Sequence, residues 1–249
     1  MKRILPMLIL LSACITSQAQ KTKTITFKST DEVVITADLY TPHSEETTFI
    51  LLFHQAGWSR GEYVETAPKL NKLGYNCMAI DQRSGDEINS VVNQTKLSAE
   101  KFGKETRFVD AYDDLISSIK YVKAKFPKAK LIVWGSSYSS GLSLHICGEY
   151  PEIANGVIAF SPGEYYTNQG KSETFVEEGA RKINIPVFIT SAKGEEQRYE
   201  GIFNAIPTAK KHSFVPKSDG QHGSRALWSK FEDSGAYWIA LKNFLRINF

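Results

Sequence analysis

The sequence predicts a mostly parallel α/β sheet with helices on both faces. Three observations carry that expectation. Strand-like and helix-like patterns take turns along the chain after residue 20. Phe49–His54 and Asn76–Ile80 are continuous apolar runs, as strands buried on both faces must be. A third such run, Leu131–Trp134, leads straight into Gly135-Ser136-Ser137-Tyr138-Ser139-Ser140-Gly141 and then a helical stretch. Packing and chirality rules turn repeated strand–helix units into a parallel sheet covered on both sides. Sites in such sheets form beyond the carboxyl ends of the strands.

The elements follow in order. Thr24–Phe27 and Val33–Tyr40 are β-branched and alternate or run apolar, with the turn-forming Ser29-Thr30-Asp31-Glu32 between them, so they predict an antiparallel hairpin. Phe49–His54 is the next strand. Glu62–Leu73 reads as a helix stopped by Gly74, and Asn76–Ile80 as a strand. Glu105–Phe126 spaces Phe108, Ala111, Tyr112, Leu115, Ile119 and Val122 by three and four residues, which predicts a long amphipathic helix ended ahead of Pro127. Leu142–Tyr150 is helical after the serine-rich turn. Gly156–Phe160, Val187–Thr190 and His212–Val215 bring the sheet to about eight strands. Gly235–Leu245 closes the chain as a helix with Tyr237, Trp238, Leu241, Phe244 and Leu245 on its apolar face. Two long loops, Asp81–Lys104 and Ser161–Arg181, read as walls or a small lid over a cleft, because long loops in a compact domain tend to be functional.

Composition narrows the class. The chain has 249 residues, 42% hydrophobic and 23% charged, which suits one sizeable core and predicts a single domain over residues 20–249. The net charge is only +3 and the basic residues are scattered, so no nucleic-acid partner is expected. Lys2 and Arg3 precede the apolar stretch Ile4–Ile15, which is too short to span a bilayer. Ser17-Gln18-Ala19 then offers small residues for cleavage, so residues 1–19 read as a signal peptide and the mature chain as exported to the periplasm or beyond. Leu11-Ser12-Ala13-Cys14 supports a second reading, a lipoprotein signal over residues 1–13 with a lipid anchor at Cys14 as the one membrane contact. Cys77 and Cys147 lie in apolar segments and are expected as buried small hydrophobes. Neither Cys-x-x-Cys nor a His-x-x-x-His pair is present, so no metal and no cofactor is implied.

The serine-rich turn carries the chemistry. A strand, a small-residue turn and a helix form the setting of a nucleophile elbow, which exposes a serine hydroxyl on a strained turn. Ser137 occupies that position, in Gly-x-Ser-x-Ser rather than Gly-x-Ser-x-Gly. A serine hydroxyl is a weak nucleophile and needs a base, which in turn needs an orienting group. His222 is the expected base, because Asp219-Gly220-Gln221-His222-Gly223 is a glycine-flanked loop before the last helix. His54 ends a strand and reads as structural, His145 points away from the cleft, and His43 and His212 have no supporting context. The acid should follow Val187–Thr190, where Glu195 is the first choice and Glu196 the second, with Glu164 and Asp219 as outside candidates. Two backbone N–H groups must face the developing oxyanion. Tyr138 should supply one, and Ala56, or failing it Gln55, the other.

These residues resemble a known family. Phe53-His54-Gln55-Ala56-Gly57, Arg60-Gly61-Glu62-Tyr63, Leu73-Gly74-Tyr75-Asn76, Asp81-Gln82-Arg83, the elbow and Gln221-His222-Gly223 are similar to the α/β-hydrolase superfamily, and within it to compact dienelactone-hydrolase-like and serine-aminopeptidase-like members. The order Ser137, Glu195, His222 is the order these enzymes use. The resemblance implies an α/β-hydrolase fold without a large cap domain, a Ser-His-Glu catalytic triad, and hydrolysis of a small-molecule acyl substrate through an acyl-enzyme. Esters are favoured over amides, which makes a carboxylesterase-like serine esterase the leading expectation. A peptidase or acyl-peptide hydrolase on the same machinery is the alternative, and a non-catalytic binding protein on a hydrolase scaffold is a third.

Overall fold

The computed structural model describes residues 22–249. The expected signal segment and Cys14 lie outside the described residues. In chain order the elements are β1 (Thr22–Lys28), β2 (Val34–Tyr40), β3 (Phe49–Phe53), α1 (Thr66–Lys72), β4 (Asn76–Ile80), β5 (Glu87–Ile88), β6 (Val91–Val92), α2 (Gln94–Lys101), α3 (Tyr112–Lys125) and β7 (Leu131–Ser136). There follow α4 (Tyr138–Glu149), β8 (Gly156–Phe160), α5 (Phe175–Ala180), β9 (Val187–Thr190), α6 (Glu200–Ala205), β10 (Lys211–Phe214) and α7 (Ser234–Asn248). The main sheet has eight strands in the order β1-β2-β4-β3-β7-β8-β9-β10. β1 pairs antiparallel with β2, and β2 antiparallel with β4. Every later pair is parallel.

Alternation along the central strands divides the interior into two cores. Successive side chains leave opposite faces of a strand. Phe49, Leu51 and Phe53 of β3 and Leu131 and Val133 of β7 enter one core, with Leu115 and Ile119 of α3 and Leu142 and Ile146 of α4. Ile50, Leu52, Ile132 and Trp134 enter the other, with Leu70 of α1 and Tyr237, Leu241 and Phe244 of α7. Cys77 and Cys147 are buried thiols in opposite cores, with the sheet between them.

Several boundaries differ from those expected. The helix looked for over Glu62–Leu73 is a 3-10 turn, Arg60–Tyr63, followed by α1 from Thr66. Pro68 explains the break. In the first turn of α1 its missing N–H has no helical partner to lose, whereas a helix begun at Glu62 would put it in the interior. The helix expected from Glu105 starts at Tyr112, because Asp110 closes a local ring with the backbone and guanidinium of Arg107. The helix after the elbow starts at Tyr138 rather than Leu142. The loop Asp81–Lys104 contains β5, β6 and α2. Asn93 caps α2 by accepting the Lys96 N–H at 2.8 Å. The loop Ser161–Arg181 contains the short α5.

The segment after β4 is anchored by a buried ion cluster. Arg83 donates to Asp114 Oδ1 at 2.8 Å on α3 and to Asp31 Oδ2 at 2.8 Å in the β1–β2 turn. Hydrogen bonding from Arg83 holds the partly exposed Asp31 well below the usual carboxylate range. Burial pushes the fully enclosed Asp114 the other way, to about 6, despite the same guanidinium. Replacing Arg83 by methionine should therefore destabilise the fold by about 3–5 kcal/mol in urea unfolding near pH 7, because Asp114 is left buried without its cation. The deficit should grow between about pH 5 and pH 8, since an orphaned buried carboxyl resists ionisation while the unfolded chain ionises freely. A deficit that is flat with pH would show that Asp114 is not the group left stranded.

Candidate active site

β7 ends at Ser136 and α4 begins at Tyr138, so Ser137 alone makes the turn. Its φ of 56° and ψ of −122° lie where non-glycine residues rarely go. Backbone bonds hold it there: the Ser137 N–H donates to the Phe160 carbonyl at 2.7 Å, and its own carbonyl accepts the Ser140 N–H at 2.9 Å. A Cβ on Gly135 would stand 2.3 Å from Ser140 Cα, so the sharp departure of α4 requires glycine there. Ser139 stands where the elbow pattern has glycine. Its Oγ accepts the Ser136 N–H at 2.9 Å and donates to the Phe53 carbonyl at 2.9 Å, tying the ends of β7 and β3 together.

His222 reaches this turn from the loop between β10 and α7. Its Nε2 lies 2.8 Å from Ser137 Oγ, and its Nδ1 lies 2.6 Å from Glu195 Oε1. Glu195 follows β9. Its Oε2 accepts the Ser161 hydroxyl at 2.8 Å and the Ala192 N–H at 3.1 Å. Burial works against its charge, but the hydrogen bonds from His222, Ser161 and Ala192 outweigh that and hold Glu195 below its ordinary value. Glu196, the second choice, starts a 3-10 turn. One of its oxygens is buried without a partner among the described residues, and it makes no bond to His222. Glu164 accepts the Val176 and Glu177 N–H groups at the start of α5 instead of approaching His222.

The loop after β3 has a fixed polarity. His54 is fully buried, and its Nε2 accepts the Gln82 N–H at 2.9 Å. Burial lowers its pKa to about 4, so the ring is neutral and Nδ1 donates to the Gln55 carbonyl at 2.8 Å. In a trans peptide the C=O and the following N–H point in opposite directions. The Ala56 N–H is thereby aimed away from His54. The Gln55 N–H is already spent on Glu62 Oε2 at 2.8 Å. Among the described residues the Ala56 and Tyr138 N–H groups have no partner. The Tyr138 side chain is buried elsewhere, donating to the Ser84 carbonyl at 3.1 Å and stacked on Phe108. His145 stacks on Phe175, away from this end of the sheet.

Two residues beyond those singled out from sequence belong to the arrangement. Ser161, just past the end of β8, donates to Glu195 and accepts the Gly223 N–H at 3.0 Å, so it links Glu195 to the loop that carries His222. A polar residue closing an apolar strand was its only sequence signal. Glu62 is fully buried, with Oε1 accepting the Ser136 hydroxyl at 2.7 Å. Among the described residues no group of three or more His, Cys, Asp or Glu side chains is placed to hold a metal ion. Replacing Ser139 by glycine should cost about 1–3 kcal/mol in denaturant unfolding, since the buried Ser136 N–H loses its acceptor. An unchanged midpoint would mean the hydroxyl's bonds are not what holds the turn.

The chain was compared with known proteins. The sequence model of the serine aminopeptidase S33 family matches residues 44–184, more than half of the chain. No curated protein matches. Among solved structures, the dienelactone hydrolase of Anabaena variabilis is 13% identical with a TM-score of 0.71, covering 92% of this chain and 99% of that one. An esterase of Pyrococcus furiosus is 18% identical with a TM-score of 0.69, covering 92% and 93%. A thermostable carboxyl esterase of Bacillus coagulans, solved with glycerol, is 13% identical with a TM-score of 0.65, covering 92% and 99%. At these identities the likeness speaks for the fold, a mostly parallel eight-stranded sheet with helices on both faces, and together with the family match it establishes that the chain belongs to the serine aminopeptidase S33 family of α/β hydrolases.

Proposed function

We propose that this chain is a serine hydrolase that cleaves esters of small or exposed acyl groups through an acyl-enzyme. The observation that carries the reading is the unbroken line from Ser137 Oγ through His222 to Glu195, at 2.8 Å and 2.6 Å, with Ser137 held at positive φ. Ser137 Oγ attacks the acyl carbon while His222 Nε2 takes its proton. Glu195 holds Nδ1–H and stabilises the imidazolium that forms. The Tyr138 and Ala56 N–H groups receive the oxyanion. His222 then gives its proton to the departing alcohol, and water repeats the sequence to release the acid and restore Ser137. Two structural neighbours are esterases by name, which favours an ester over an amide.

A peptidase on the same machinery is the second reading, and the family's name favours it. Aminoacyl anilides turned over faster than aryl acetates would favour that reading.

We also propose export. The basic Lys2-Arg3, the apolar stretch Ile4–Ile15 and the small residues Ser17-Gln18-Ala19 before Gln20 support it. Mass spectrometry of protein from the native host should give a mature chain starting at Gln20, or at an acylated Cys14. A retained Met1 would refute export.

Exposure to a fluorophosphonate should add one adduct to the wild type and none to Ser137→Ala, read by intact-mass spectrometry. The same variant should lose about ten-thousand-fold or more in kcat/KM on aryl acetates, because nucleophile and base act as a unit. A folded wild type that takes no adduct would instead point to a binding protein on a hydrolase scaffold.

A further inference from the structure

Glu62 is a fully buried carboxyl that takes no part in the steps above. Its Oε2 accepts the Gln55 N–H and its Oε1 the Ser136 hydroxyl, and Ser136 Oγ in turn accepts the Ser224 N–H at 2.8 Å. Gln55 precedes Ala56, Ser136 precedes Ser137, and Ser224 follows His222 by two residues. One carboxyl thus ties together the loop after β3, the elbow and the histidine loop. We propose that ionised Glu62 is a positioning residue that sets these three segments for turnover, so that activity follows its charge. The inference rests on Ser137 and His222 being the reacting groups.

The hydrogen-bond inventory gives the reason. With Glu62 ionised, the Gln55 N–H, the Ser136 O–H and the Ser224 N–H each find an acceptor. Protonation adds a fourth donor. The Glu62 O–H must then turn onto Ser136 Oγ, which already accepts from Ser224, and the Ser136 hydroxyl proton has to leave Glu62 for a neutral acceptor, the Tyr63 hydroxyl or the buried, unpartnered Gln55 Oε1. Either exchange replaces a charge-assisted hydrogen bond by a weaker neutral one and loosens the three segments that it ties. The change falls within an accessible pH range. Burial pushes Glu62 up to about 7, against the hydrogen bonds from Ser136, Gln55 and Ser224 and the charge of Arg225. Arg225 faces it from the histidine side, its guanidinium 5.9 Å from the Trp58 ring. Tyr63 and Tyr138, the other titratable neighbours, are buried phenols held well above their ordinary value and stay neutral.

Glu62→Gln is the diagnostic variant. Its amide offers one acceptor to Gln55 and one donor to Ser136, the pattern of the protonated acid at nearly the same size. Wild type, Glu62→Gln and Ser136→Ala would be assayed on an aryl acetate between about pH 5 and pH 9. In the wild type the acid limb of kcat/KM should fall more steeply than one ionisation allows, because two coupled groups must both be deprotonated. In Glu62→Gln the limb should shrink to a single ionisation. Its kcat above pH 8 should drop roughly ten- to a hundred-fold with KM little changed. Ser136→Ala removes a bond that lowers the Glu62 pKa, so its acid limb should move to higher pH.

Thermal unfolding supplies a readout that a plain structural tie would not give. A carboxyl whose folded pKa lies above its unfolded value favours the folded state below the unfolded pKa and loses that advantage as pH rises through the folded pKa. The melting temperature of Glu62→Gln should therefore gain on the wild type between about pH 5 and pH 8. A Glu62→Gln enzyme with wild-type kcat and an unchanged acid limb would overturn the inference. So would an acid limb unmoved in Ser136→Ala if Glu62→Gln fails to fold. A wild type that takes no fluorophosphonate adduct at Ser137 would overturn the serine assignment itself, and this inference with it.

Discussion

The one-residue junction between β7 and α4 is the constraint on which the rest depends. A strand and a helix meet with only Ser137 between them, and that residue is held at a φ of 56°. Strained backbone of this kind persists only where its surroundings over-determine it. Here Phe160 fixes the N–H of Ser137, Ser140 fixes its carbonyl, Gly135 makes room for the helix, and the Ser139 hydroxyl locks the ends of β7 and β3. Each of these belongs to an element buried in the sheet or against it. The sheet therefore has to be rigid before the turn can be strained, and the two cores formed by alternate residues of β3 and β7 supply that rigidity.

The parallel arrangement also decides what can gather at the turn. β3, β4, β7, β8, β9 and β10 run the same way, so the loops that leave them open at one end of the sheet. His54, Ser137, Ser161, Glu195 and His222 stand on or beside five of those loops. Residues as far apart as Ser136 and Ser224, separated by 88 positions, then share a hydrogen bond. The link from sequence to site runs through topology and not through local motif.

What was legible in the sequence divides along the same line. Apolar runs, glycines and the serine-rich turn are local signals, and they located the strands, the elbow and the loop holding His222. Helix starts were read less well where short-range bonds compete with periodicity, as at Pro68 and at Asp110. The short helices α2, α5 and α6 have little intrinsic stability and exist because the chain around them packs. The sequence put Glu195 ahead of Glu196 without a physical ground for separating adjacent glutamates; in the fold Glu195 bonds His222 and Ser161, contacts that depend on how the ends of β8, β9 and β10 are brought together. In the sequence Ser139 is only a departure from the glycine of the elbow pattern, whereas in the fold its hydroxyl bonds the ends of β7 and β3.

Three ionisable groups around Ser137 illustrate how burial and partners compete. His54 is enclosed among backbone groups with no opposite charge bonded to it, and burial lowers it to about 4, so it serves as a neutral clamp on the Gln55 peptide. Glu195 is only partly buried and accepts from three donors, so it keeps its charge below its ordinary pKa. Glu62 also accepts hydrogen bonds but is wholly enclosed, and desolvation prevails, lifting it to about 7. The two carboxyls thus differ chiefly in access to water, and environments that push like groups apart are what allow them different roles. A carboxyl placed as Glu62 is disfavours the folded state at alkaline pH, and an apolar residue of similar size would avoid that cost. An apolar residue could not, however, accept from the Gln55 N–H and the Ser136 hydroxyl at once. Without that double acceptor the loop after β3 and the elbow would lose one of the anchors they share, leaving the Ser139 and Gln82 side chains to hold them.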